Sequence, residues 1–129
     1  LHLEQTPFPK ESLEIPDDRL KTAEQGQRAA GRQMPHSVAY EMTTPHIASP
    51  DVHIDADNRR FVMYYHGLEE VGRQVSRVAV STDGLAFDSG EEILGRTYMR
   101  VFNYRATTYA LAMPGQFYRS STPLGGFEE

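Results

Sequence analysis

Four imidazole and carboxylate side chains, His46, Asp51, His53 and His66, fall between positions 46 and 66 and are the first candidates for chemistry. Groups of these two types can bind a metal ion, move a proton or hydrogen-bond a polar ligand. In DVHID (51–55), Asp51, His53 and Asp55 alternate with Val52 and Ile54, so the three polar groups share one face of a strand. Alternate residues of a strand stand about 7 Å apart, because each residue rises about 3.3 Å. Three such groups cannot all reach one ion at about 2.1 Å without convergence of their side chains. His46 or His66 would join a ligand set only through tertiary folding. The spacing therefore favours histidines that hydrogen-bond in a polar pocket, and no metal or other cofactor is expected. Asp55 and Asp57 lie with Asn58 in a turn-like stretch, where local bonding is the usual role. Glu69, Glu70, Glu91 and Glu92 occupy loop-like or edge positions and read as solvated. Gly125-Gly126 is not followed by a helix, so it is no phosphate loop, and Ser49 precedes a proline without any nucleophile motif.

Composition narrows the classes. The chain has 129 residues, enough for one domain with a core. It has no cysteine, which excludes disulfides, thiolate zinc sites and cysteine nucleophiles, and leaves the compartment open. A net charge of −5, with scattered Lys and Arg, gives no electrostatic case for nucleic acid. No apolar run approaches the roughly 18 residues that a membrane span needs. The opening LHLEQTPFPK lacks the basic and apolar regions of a secretory signal.

The elements that must position these groups divide into an arm and a β region. Residues 1–36 carry four prolines and few large apolar side chains. Pro16, Asp17 and Asp18 can open a helix running through Met34, weakened by Gly26 and Gly31. From Ser37 onward the pattern is strand and turn. SVAYEM (37–42), DVHID (51–55), FVMYYH (61–66) and VSRVAVS (75–81) read as strands, and 87–93 can supply another. GLEEVGRQ (67–74) reads as a loop and Asp83-Gly84 as a turn.

The order then recurs in YMRVFNY (98–104), YALAM (109–113), QFYRSS (116–121) and a final LGGFEE. Val52 to Val101 is a shift of 49 residues, Phe61 to Tyr109 one of 48, and Phe87 to Phe127 one of 40. Four strands repeating every 40 to 50 residues or so mark a propeller blade. The expected fold is thus all-β: a partial β-propeller of about two four-stranded antiparallel blades, at about 46–95 and 96–129. An ordinary antiparallel sandwich with chance similarity is the alternative.

HIASPDVHID (46–55), FVMYYHG (61–67), SRVAVSTDGLAF (76–87), YMRVF (98–102) and YALAMPGQFYRSS (109–121) together cover about two thirds of the chain. In this order they resemble the five-bladed β-propeller glycosidases, the clan around glycoside hydrolase family 43 and its uncharacterised relatives. The chain departs from that family in size, since five blades need well over two hundred residues, and it corresponds to a front portion. Ser81-Thr82-Asp83-Gly84 also begins like a sialidase Asp-box, but its glycine comes one residue early.

The resemblance implies a carbohydrate ligand in a pocket on the propeller axis, with acidic residues from several blades. Asp51, on the strand that resembles the innermost one, is the implied catalytic carboxylate, although glycoside cleavage needs two. His46, His66 and Arg100 are expected to bind sugar hydroxyls or a carboxylate, and Tyr98 or Tyr118 to pack on a sugar face. A glycoside hydrolase-like activity, a non-catalytic carbohydrate-binding or interaction module, and an inactive remnant all stay open. Two unpaired blade faces predict self-association, with a homodimer placing two copies of Asp51 near one axis.

Overall fold

The computed structural model describes residues 1–34 and 36–129. The arm makes a short 3-10 turn (Leu3–Gln5) and helix α1 (Asp17–Ala29). Asp17 and Asp18 sit in the first turn of α1 and Arg28 in its last, as the helix dipole favours. The helix ends earlier than the expected Met34 because Gly31, just beyond it, takes the left-handed φ of +63°. Gly26 is accommodated inside it.

SVAYEM is a helix and not the expected strand. Ser37 caps α2 (Val38–Thr43), its Oγ accepting the Tyr40 N–H at 3.2 Å. A satisfied cap outweighs the weak strand preference of six residues. Helix α2 then anchors the arm, for the Leu13 N–H donates to the Thr43 carbonyl and the Gly72 N–H to the Met42 carbonyl, both at 2.9 Å.

The remainder is mostly β, in two open antiparallel sheets. The first runs β1 (Ile47–Asp55), β2 (Arg60–Glu70), β3 (Arg73–Ser81) and β4 (Asp88–Ser89) in sequence order, with β5 (Gly95–Arg96) also on β3. The second is a meander of β6 (Arg100–Tyr104), β7 (Thr107–Ala112) and β8 (Gln116–Ser120). The segment 67–74, expected as a loop, continues both strands of a hairpin that turns at Val71 and Gly72, with Gly72 at φ +68°. The longer offset in the first repeat therefore comes from longer strands. The expected strand at 87–93 is broken: β4 has two residues, and pairing with β3 resumes only at β5. The final LGGFEE makes single bridges, Thr122 with Gly125 and Arg119 with Glu128.

Asp83 organises the turn after β3. Its carboxylate accepts the Leu85 and Ala86 N–H groups at 2.8 and 2.9 Å and the Ser81 hydroxyl at 2.9 Å, which together hold its pKa below the ordinary carboxylate value. The β6–β7 turn uses Arg105 and Ala106, both left-handed, where a hairpin of this shape would favour glycine or asparagine.

The sheets pack face to face. Val62, Tyr64 and Val78 of the first meet Val101, Ala110, Ala112 and Tyr118 of the second, with Leu94 and Met99 between them. The other face of the first sheet is covered by the arm: Phe8 packs with Met63, Tyr65, Val75 and Ala79, flanked by Leu1 and Leu3. The buried Arg77 guanidinium lies 4.9 Å from the centre of the Phe8 ring, paired with Glu69 at 2.7 Å. On β1 the alternation turns its polar side inward. Asp51, His53 and Asp55 are half-buried, whereas Val52 and Ile54 are 52% and 78% exposed.

Candidate functional site

His66 is the centre of the site because it is a fully buried ionisable side chain, 2% exposed, in the middle strand of a β1–β2–β3 ladder. It pairs with Ala48 on one side and Ser76 on the other. Its neighbour Gly67 allows a close approach: a Cβ there would lie 2.6 Å from the His46 carbonyl and 2.8 Å from the Phe8 ring. His46 is thereby held against the end of β2, its ring centre 6.3 Å from that of His66, and its Nδ1 is 3.0 Å from the Thr44 carbonyl.

Two left-handed residues bring in the other walls. Ser49, at φ 53°, lies in the β1 bulge between Ala48 and Asp51, and Tyr98, at φ 57°, precedes β6. Each conformation costs about 1–3 kcal/mol outside glycine, and such costs concentrate where a site must be shaped. Tyr98 places its ring 4.4 Å from that of His66 and donates its N–H to His66 Nδ1 at 3.4 Å. Arg100 donates to the carbonyls of Ser49 at 3.1 Å and Met99 at 3.0 Å. Its side chain is exposed, on the face of β6 opposite the buried Val101.

His46, His66, Tyr98 and Arg100 are therefore brought together, as a polar, aromatic-edged cluster. The first three line a cleft of about 290 Å³ with Tyr40, Glu41 and Gln74. Burial first, then the His46 and Arg100 charges, push the His66 imidazole down to about 4. It is neutral at physiological pH. The bond from Tyr98 selects the tautomer with Nδ1 as acceptor, so Nε2 carries the proton and can donate.

Asp51 does not line this cleft. One carboxylate oxygen accepts the Val101 N–H at 2.8 Å and lies 3.2 Å from His53 Nε2. Tyr118 is buried in the inter-sheet core, its hydroxyl donating to Gln116 at 3.0 Å. Among the described residues, no three His, Asp or Glu side chains gather as a metal set. Tyr40, Glu41 and Gln74 do not stand out in the sequence, where the first two read as strand and the third as loop. The Ser37 cap preceding Val38 was the signal for the former pair.

No known protein family, characterised protein or solved structure matches the chain.

Proposed function

We propose that this chain is a propeller-type carbohydrate-binding unit, akin in plan to the glycosidase propellers, whose ligand enters the cleft of His46, His66 and Tyr98, with Arg100 beside it. The observation that carries this is the convergence of a neutral imidazole, a second imidazole, a guanidinium and a half-exposed phenol at one end of the stacked sheets. Neutral donors and acceptors beside an aromatic ring suit a ligand made of hydroxyls and C–H faces. The blade reading rests on two consecutive antiparallel sheets sharing one core, the arrangement of neighbouring blades.

Turnover is a weaker reading of the same site. Hydrolysis needs two carboxyl groups across the bond, and among the described residues Glu41 is the one acid lining this cleft. Asp51 is occupied by the Val101 amide. A glycoside hydrolase-like activity would need a carboxylate from another copy, and one observation favours association: Phe102, Leu111 and Phe117 are exposed on the outer face of the second sheet.

An amide NMR titration with xylo-, arabino- and galacto-oligosaccharides tests the binding reading. Shifts at His66, Gly67, Tyr98 and Gln74 are expected, with Tyr98→Ala and Arg100→Ala weakening binding about tenfold while the spectra stay folded. A flat response at those amides to the oligosaccharide panel, acidic sugars included, would remove it.

A further inference from the structure

A larger cleft adjoins the histidine cleft and shares Gln74 and Tyr98 with it. Its volume is about 880 Å³, within the range of sites that enclose small ligands. Among the described residues around it three are arginines, Arg32, Arg73 and Arg96, and none is aspartate or glutamate. This runs against the composition of the chain, where 18 acids outnumber 13 bases. The three cations come from separate places in the fold: Arg32 follows α1, Arg73 opens β3 and Arg96 closes β5. Among the described residues, Arg32 and Arg96 have no carboxylate at ion-pair distance. Arg73 donates to Glu70 at 3.1 Å in an exposed pair, which a ligand can displace at little cost. Arg100 adds a fourth positive charge beyond Tyr98, where it acts on His66.

We propose that the two clefts form one site for an acidic oligosaccharide, with uronate carboxylates held by Arg32, Arg73 and Arg96. This rests on the carbohydrate reading above and supplies its substrate class. Guanidinium groups are permanently charged, and their planar fork matches a carboxylate in two parallel hydrogen bonds. The shared residues give continuity, since a sugar ring against Tyr98 puts its hydroxyls near Gln74 and His66 and its neighbours near the arginines. A phosphate ligand is less suited, because the sequence holds no glycine-rich loop leading into a helix to cradle it.

The test is calorimetric and NMR titration of the full chain with oligogalacturonate and with a neutral galacto-oligosaccharide of equal length. Sodium sulfate is the simple-anion probe. The acidic chain is expected to bind at least about tenfold more tightly, with an affinity that falls as salt rises. Arg96→Ala and Arg73→Ala are each expected to lose about tenfold for the acidic sugar alone. Both side chains are exposed, so their loss leaves the fold intact, and Arg59→Ala in the β1–β2 turn serves as the control. Equal affinity for acidic and neutral sugars, with silent arginine variants, would overturn the acidic assignment and leave the sugar reading standing. Shifts with sulfate but with neither sugar would overturn both.

Discussion

The Asp51 carboxylate accepts the backbone N–H of Val101 at 2.8 Å, a bond from the edge strand of the first sheet to the first strand of the second. It joins residues 50 positions apart, beside the core contact of Val101. Its neighbour His53 leans on the Tyr64 ring, 5.5 Å between centres. A charged acceptor on a backbone donor is among the stronger hydrogen bonds, so this contact fixes how the sheets, and with them Arg100, are set.

Removing that acceptor is expected to destabilise the fold. Asp51→Ala leaves the Val101 N–H without a partner in a half-buried place, a loss of about 1–3 kcal/mol. Asp51→Asn keeps an acceptor oxygen and is expected to cost less. Urea unfolding of both variants measures the difference. Equal stability of Asp51→Ala and wild type would show that the bond holds nothing, and would return Asp51 to candidacy as a free carboxylate.

His66 predicts a pH dependence with a definite sign. Its folded pKa of about 4 lies below the ordinary 6.5, so between those values the unfolded chain binds a proton that the native chain refuses. The stability is present in full above pH 6.5 and is lost as pH falls toward 4, on the order of 2–3 kcal/mol. Comparison of wild type with His66→Asn by chemical denaturation isolates this share. An NMR titration of the ring that gives a pKa near 6.5 would contradict the burial argument.

The arm is expected to be structural. Phe8 is 2% exposed, stacks edge-on to Tyr65 at 5.9 Å and lies beneath Arg77. Phe8→Ala would open a cavity and remove the ring packed against the Arg77 guanidinium, a loss of about 3–5 kcal/mol. Limited proteolysis checks it: the variant should be cut in residues 1–15 under conditions where the wild type resists.

Much of the sheet plan was legible, and the reasons lie in particular residues. FVMYYH is apolar on both faces, and in the structure both of its faces are covered, one by the second sheet and one by the arm. The arm's covering role was not legible, because its contribution comes from isolated residues such as Phe8 among prolines. Helix α2 was hidden by β-compatible side chains whose fate was decided by one cap at Ser37. His46, His66, Tyr98 and Arg100 could be singled out in advance, but their meeting depends on Gly67, on the bulge at Ser49 and on the left-handed Tyr98. Only the folded backbone supplies those. The arginine cleft left no trace in the sequence, since its cations are scattered at positions 32, 73 and 96.

The outer face of the second sheet gives the last prediction. Phe102, Tyr109 and Phe117 form a cross-strand row, with ring centres 5.6 and 5.4 Å apart and planes within 22° and 25° of parallel. Phe102, Leu111 and Phe117 are each between 43% and 49% exposed there, while Tyr109 is half-buried by its neighbours. On the first sheet the corresponding outer face is covered by Phe8, whereas nothing among the described residues covers this one. A contiguous aromatic face of this kind favours a second copy of the chain, although a stable pair needs about 800 Å² from each partner and so must recruit the surrounding strands. Light scattering over a concentration series is expected to show a rise toward dimer mass. The double variant Phe102→Glu, Phe117→Lys should hold the chain at monomer mass without lowering its melting temperature, since neither ring supports the core. A wild type that stays monomeric throughout would leave this face unpaired, and hydrolysis completed by a second copy would fall with it.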